Sequence, residues 1–314
     1  MSPILLQFTF GVVFLLLSTQ IFVRLASRLS HTLGVSPLIV ATTLIAIGTS
    51  LPELAVSTIA TIKSDFGLAI GNIIGSNVIN IFFIFPIGIL IGNLRVGSTK
   101  TQRNIVLLAL ATLLFIALTH FGIPAYLVGF ILLTGSLIAT IFEYYWARYG
   151  QTHEDKKLLK HSRVSPHLTP AAIIGLIATL VGIIIGGVWV VTSVESISAS
   201  TGLSTTTLGL SLTAIATSLP ELLTTIFSQE DHEEKITIGN LLGSNIYNLL
   251  LVGGLAIFLS PPNQSLALNP TWLILATIAF FVTLRLYSGR VIPRRIGFLF
   301  LLAFSLYLVS LRRS

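Results

Sequence analysis

The sequence predicts an all-α integral membrane protein, with ten transmembrane helices as two inverted five-helix repeats and both termini outside. Three observations predict it. Hydrophobic residues fill 54% of the 314 positions and charged residues only 9%, against about 25% charged in an average soluble chain. The apolar residues gather in ten runs, most of them close to the ~20 residues that cross a ~30 Å hydrocarbon layer. The second half of the chain also repeats motifs of the first at a constant spacing of 168 residues.

Taken in order, the first run, 3–23, opens without a basic segment or a small-residue cleavage site and reads as a retained helix. The second, 38–61, contains Thr49, Ser50, Pro52 and Glu53, and the third, 67–92, contains Asn72, Ser76, Asn77 and Asn80. Runs 104–120 and 124–146 are plain spans. A polar stretch over 148–168, rich in lysine, reads as a cytoplasmic central loop between a first repeat (1–147) and a second (169–314). Run 169–190 then corresponds to the first, while 205–228 carries Thr217, Ser218, Pro220 and Glu221. Run 236–259 carries Asn240, Ser244, Asn245 and Asn248, and the short runs 270–284 and 296–311 close the set. Five spans per half is an odd number, so the second half enters the membrane with the opposite sense, the inverted-repeat plan of many secondary transporters.

Charge placement sets the orientation. Fifteen of the 18 Lys and Arg residues fall in the loops assigned to the inside, and only Lys63, Arg312 and Arg313 fall outside. That is the positive-inside asymmetry of a cytoplasmic membrane protein. The net charge of +7 is therefore a topology signal, and no nucleic-acid partner is expected; the partner is the lipid bilayer. Cysteine is absent, which excludes disulfides and thiolate metal sites. No cofactor is expected. The functional unit reads as one chain.

The motifs carry the chemistry. Residues 46–54 read A-I-G-T-S-L-P-E-L and residues 214–222 read A-I-A-T-S-L-P-E-L, identical at eight of nine positions. G-N-I-I-G-S-N-V-I-N from Gly71 and G-N-L-L-G-S-N-I-Y-N from Gly239 agree at six of ten. A charged side chain at membrane depth is costly, so a repeated intramembrane glutamate marks a functional site. Pro52 and Pro220 lack an amide hydrogen, which frees the Gly48 and Ala216 carbonyls and kinks their helices. Free carbonyls at that depth need a polar cavity, and a cation supplies one solution. Two glutamates, carbonyls and hydroxyls suit Ca²⁺, which takes about six to eight oxygens, better than Mg²⁺ or softer metals. Asn72, Ser76 and Asn80 share one helix face, as do Asn240, Ser244 and Asn248, and Ser76 and Ser244 are candidate Na⁺ ligands. Asn72, Asn77, Asn240 and Asn245 are expected to hydrogen-bond the unwound backbone. Gly71 with Gly75, and Gly239 with Gly243, form small-xxx-small pairs for close helix approach. The acidic run 230–234 reads as a solvated loop.

These motifs, repeated in inverted halves of five helices, resemble the two alpha-repeats of the cation/Ca²⁺ exchanger superfamily, and most of all its prokaryotic sodium/calcium exchangers with a short central loop. The resemblance implies a central Ca²⁺ site of Glu53, Glu221 and the backbone carbonyls of Thr49 and Thr217. It implies flanking Na⁺ sites involving Ser50, Ser218, Ser76, Ser244, the carbonyls of Ala46 and Ala214, and the same two glutamates. Asn80 and Asn248 match the fourth corner of the polar diamond. Some relatives carry Asp at one of these two positions. Asn at both leaves at most two negative charges, which suits one Ca²⁺ and argues against K⁺ co-transport. The Glu that follows the Gly-Asn pair in the Ca²⁺/H⁺ branch is missing here.

The expected function is thus Na⁺/Ca²⁺ antiport by alternating access in the cytoplasmic membrane. With a potential of about −100 mV, a roughly tenfold Na⁺ gradient and a roughly ten-thousandfold Ca²⁺ gradient, expelling one Ca²⁺ costs about 10 kcal/mol. Each entering Na⁺ releases about 3.7 kcal/mol, so two are too few and about three suffice. The alternative is a Ca²⁺/H⁺ antiporter with the glutamates as proton carriers. A cation channel is a third reading, and an enzyme is disfavoured by the lack of an H-E-x-x-H motif or a mid-membrane histidine.

Overall fold

The computed structural model describes residues 2–32, 45–97, 99–149, 170–230, 234–261 and 269–311. The central loop, the segment preceding Ile45 and the middle of the acidic run 230–234 lie outside them. Among the described residues, regular structure is helical apart from two isolated β-bridges. We number the helices α1 (Ser2–Thr32), α2 (Ile45–Thr49 and Leu51–Ile62), α3 (Phe66–Ile91), α4 (Thr99–His120), α5 (Ala125–Tyr149), α6 (Pro170–Thr201), α7 (205–230), α8 (234–258), α9 (Thr271–Leu286) and α10 (Arg294–Ser310).

Six of these are long and apolar enough to cross a membrane: α1, α3, α4, α5, α6 and α8. The two pieces of α7, bent by 40° at their junction, make a seventh when taken together. The second piece of α2 and helix α9 are apolar but shorter. Helices α1 and α6 run past the expected 3–23 and 169–190, because backbone hydrogen bonding continues beyond the point where the apolar residues stop. At 31 and 32 residues they reach about 46–48 Å at 1.5 Å per residue. Long helices accommodate a ~30 Å core by tilting.

Two apolar clusters organise the packing. The larger joins α3, α4, α5, α8, α9 and α10, with Phe85, Phe115, Phe280 and Tyr307 among its fully buried members. The smaller joins α1 and α6 to α2, the first turn of α3 and the first half of α7. Within it α1 and α6 approach closely: a Cβ added at Gly186 would lie 2.7 Å from the Leu15 amide nitrogen. Small residues permit such contact between membrane helices, where apolar burial alone gives no preference for protein over lipid.

Polar contacts tie the ends of the helices into two opposed groups. At one end Lys63 pairs with Glu195 at 2.7 Å, and Asp65 accepts a 2.8 Å hydrogen bond from Thr205. At the other, Arg103 pairs with Glu143 at 2.8 Å, and Gln102 donates to the Leu284 carbonyl at 2.8 Å. There the α3–α4 and α9–α10 connections join through Val96 N–H to Arg290 O and Ile292 N–H to Leu94 O, both 3.0 Å. Arg95, Arg103, Arg285 and Arg290 therefore share one end, opposite Lys63.

Candidate cation site

Helix α2 breaks at Ser50 (φ −84°, ψ 3°) and α7 at Ser218 (φ −86°, ψ 10°). Pro52 and Pro220 are each the second residue of the piece that follows, where a missing N–H is tolerated. Neither can donate back across the break, which takes one backbone donor from the carbonyl end of the preceding piece. Glu53 and Glu221 follow in the first turn, where the helix dipole favours a carboxylate. Both are fully buried, and they lie close enough to interact electrostatically. Each break therefore presents a negative carbonyl end and an adjacent carboxylate.

The two breaks are held by the opposite half of the chain. Thr49 Oγ1 donates to Asn240 Oδ1 at 3.3 Å and bonds Ser244 Oγ at 3.0 Å. Its counterpart Thr217 donates to Asn72 Oδ1 at 3.2 Å and lies 3.5 Å from Ser76 Oγ. Every partner in the second set stands 168 residues from one in the first. Ser218 Oγ closes the centre by donating to Glu53 Oε1 at 3.0 Å. Asn72 also donates to Ser57 Oγ at 3.0 Å and to the Glu53 carbonyl at 3.5 Å, stitching α3 to the piece after the break.

The glycines explain how α3 comes near enough. A Cβ at Gly71 would lie 2.5 Å from the Thr206 carbonyl oxygen, and one at Gly75 would lie 2.7 Å from Ala214 Cβ. The segment that Gly239 would meet under the same spacing lies outside the described residues. The Ala214 carbonyl accepts from Ser218 N–H at 3.1 Å and Thr217 Oγ1 at 3.4 Å. Ala46 lies in the first piece of α2, and only its backbone belongs to the described structure.

Asn77 and Asn245 depart from expectation. Each donates to a carbonyl of its own helix, Ile73 O at 2.8 Å and Leu241 O at 2.6 Å. The carbonyl four residues back is the nearest acceptor in a helix, and it wins over the unwound backbone. Sequence reasoning also missed three π-helical turns, Asn80–Ile84, Gly209–Thr213 and Asn248–Val252. Asn80 and Asn248 open two of them, and neither side chain has any hydrogen-bond partner. Such turns recur at functional sites.

Buried polar atoms are nearly always paired, yet Glu53 Oε2, both oxygens of Glu221, Ser50 Oγ, Asn80 Oδ1 and Asn248 Oδ1 are buried without partners. All six are acceptors or can act as acceptors. Among the described residues no three His, Cys, Asp or Glu side chains gather in one place. The chemistry on offer is therefore two carboxylates among neutral oxygens, the donor set of a hard cation.

Fold, length and apolarity define a multi-pass membrane protein. The family model of the sodium/calcium exchanger protein matches residues 3–145 and 171–312. The chain belongs to this family, a family of transporters. It is 31% identical to the putative antiporter CaxA of Alkalimonas amylolytica, over 94% of each chain. It is 27% identical to the sodium/calcium exchanger MaX1 of Methanosarcina acetivorans, over 96% of each. A solved structure of the sodium-calcium exchanger NCX_Mj superposes with a TM-score of 0.60 at 26% identity, covering 99% of both chains.

Proposed function

We propose that this protein is a sodium/calcium antiporter of the cytoplasmic membrane, exchanging about three Na⁺ for one Ca²⁺ by alternating access. The observation that carries the reading is the buried pair Glu53 and Glu221, with three of their four carboxylate oxygens unpartnered beside further orphaned oxygens. In this reading Ca²⁺ is held by Glu53, Glu221 and the carbonyls of Thr49 and Thr217. Na⁺ ions use the same glutamates with Ser50, Ser76, Asn80, Ser218, Ser244, Asn248 and the carbonyls of Ala46 and Ala214. Asn72, Asn240, Pro52 and Pro220 support the breaks, and Asn77 and Asn245 their own helices.

Ten spans in two inverted repeats, with both termini outside, are the architecture this requires, and one chain suffices as the unit. The arginine-rich end faces the cytoplasm under the positive-inside rule. Alternating access is a movement of the closely packed α1–α6 pair over the core of α2, α3, α7 and α8. The pair meets the core through side chains of small or flexible residues, with a Cβ at Gly187 facing Ile59 Cδ1 and Ala55 Cβ, which supports such a movement.

The test is ⁴⁵Ca²⁺ uptake into Na⁺-loaded proteoliposomes diluted into Na⁺-free buffer, for the wild type and for Glu53→Gln with Glu221→Gln. Uptake that needs internal Na⁺ and vanishes in the double variant is expected. Uptake driven by an imposed pH gradient and indifferent to Na⁺ would replace the reading with Ca²⁺/H⁺ exchange. Flux with no counter-ion requirement would make the protein a channel.

A further inference from the structure

We infer that Tyr307 is a positioning residue for Na⁺ binding, acting on the site through one backbone carbonyl of α7; the inference rests on the proposed exchange function. It begins from hydrogen-bond accounting in the π-helical turn Gly209–Thr213. In an α-helix the N–H of Ala214 would bond the carbonyl of Leu210, four residues back. Here it bonds Gly209 O, as the wider turn requires, and Ser211 O beside it, and the Leu210 carbonyl is released. A buried carbonyl left alone costs roughly 1–3 kcal/mol. The Tyr307 hydroxyl takes it: the phenol of α10 donates to Leu210 O.

The donor is itself fixed. Tyr307 is 1% exposed and packs edge-on against Trp272, with ring centroids 5.6 Å apart. Trp272 in turn donates from its indole nitrogen to Ser310 Oγ at 2.8 Å. The acceptor is equally confined, since a Cβ at Gly75 would lie 2.8 Å from Leu210 O and 2.9 Å from its Cα. The phenol thus pins the widened turn against α3, one helical turn before Ala214. The carbonyl of Ala214 is a proposed Na⁺ ligand and is absent from the proposed Ca²⁺ shell.

Without the hydroxyl, the nearest repair is the ordinary α-helical bond from Ala214 N–H to Leu210 O. That bond tightens the turn and displaces the Ala214 carbonyl; Thr217 gives up only its long 3.4 Å bond to that oxygen and keeps Asn72, while Glu53, Glu221 and Thr49 keep their own contacts. Nothing in the repeated motifs marks this role. The position 168 residues earlier is Ala139, whose side chain has no donor.

The test is Tyr307→Phe, which keeps the ring and removes the donor, with half-saturating Na⁺ and half-saturating Ca²⁺ measured on the same proteoliposomes. Neither constant depends on how much protein is active. The expected result is a rise of fivefold or more in half-saturating Na⁺ with less than a twofold change for Ca²⁺. Ser310→Ala, which removes the indole's acceptor but leaves the phenol in place, should raise half-saturating Na⁺ less than Tyr307→Phe does and leave Ca²⁺ within twofold. Equal shifts in the two constants, or a lowered melting temperature with both constants unchanged, would make Tyr307 only a packing residue and overturn the inference. If Tyr307→Phe cannot be reconstituted, 3-fluorotyrosine at 307, a stronger donor of nearly the same shape, should lower half-saturating Na⁺; an unchanged value would overturn the inference equally. Absence of Na⁺-dependent uptake in the wild type would instead defeat the exchanger reading.

Discussion

Replacing Gly75 with alanine should disable exchange while leaving a folded, membrane-inserted protein. The added methyl would stand 2.7 Å from Ala214 Cβ, 2.8 Å from Leu210 O and 2.9 Å from Leu210 Cα. Carbon atoms rest at about 3.5–4.0 Å, and two of the three obstacles are backbone, so α3 and α7 must part by about 0.8–1 Å. Overpacking of this kind costs about 1–3 kcal/mol, which a protein of this size survives. The site does not. Bonds that cross the α3–α7 gap, Thr217 to Asn72 at 3.2 Å and Thr217 to Ser76 at 3.5 Å, lengthen past useful hydrogen-bonding distance. Ca²⁺ ligands sit within about 2.3–2.6 Å, so the Glu221 side of the shell moves out of reach of an ion held by Glu53. The assay is Na⁺-driven ⁴⁵Ca²⁺ uptake with thermal unfolding measured beside it, and uptake should fall at least tenfold. Gly135→Ala is the control, since its methyl would meet only side-chain atoms at 3.7–3.9 Å and should be silent. Wild-type half-saturation and rate in Gly75→Ala would refute the claim that this contact sets the site.

The other consequences concern the break and the moving pair. Pro52→Ala or Pro220→Ala restores an N–H able to bond back across Ser50 or Ser218; each should slow exchange severalfold without lowering the melting temperature, and wild-type rates would show that the prolines do not maintain the breaks. Lys63 and Glu195 join α2 to α6, with about a third of each side chain exposed. The pair is worth only about 0.2–1 kcal/mol, so Lys63→Glu should change the exchange rate less than fivefold at low salt. Lys63→Glu combined with Glu195→Lys should restore it, and ~1 M salt should erase the difference. A single reversal with no effect at low salt would mean that α6 does not move against α2 at that end.

Much of the site was legible because the chain states it twice. The matches at Ala46–Leu54 and Ala214–Leu222 single out both glutamates and both breaks, those from Gly71 and Gly239 single out the polar faces of α3 and α8, and these come together in space. The π-helical turns were not legible. An extra residue absorbed into a helix is a response to neighbouring backbone, as at Gly75 against Leu210, and no residue pattern encodes it. The repeat also overstates the symmetry. Ser57 accepts from Asn72, yet its counterpart Thr225 and the Asn240 amide nitrogen each lack a partner. Apolar runs likewise locate hydrocarbon and not helix ends, which is why α1 and α6 exceed their forecast lengths.

Burial of the two glutamates also determines which half of the proposed cycle carries charge. Each fully desolvated carboxylate costs several kcal/mol unless compensated, so the empty site with two bare charges is the state least able to cross. One Ca²⁺ cancels both charges. Asn80 and Asn248, where a carboxylate could have stood, add none. Three Na⁺ against the same two carboxylates leave one net positive charge, and the third ion must rest on neutral oxygens alone. Calcium translocation should therefore be electrically silent and sodium translocation should move about one elementary charge. On a solid-supported membrane, a Na⁺ concentration jump should give a transient current in the wild type and a Ca²⁺ jump in Na⁺-free buffer should give none. Putting Asp at Asn248 adds the missing charge and should reverse the pattern, silencing the Na⁺ step and leaving net negative charge on the Ca²⁺ step. A Ca²⁺ current in the wild type equal to the Na⁺ current would contradict the two-carboxylate account.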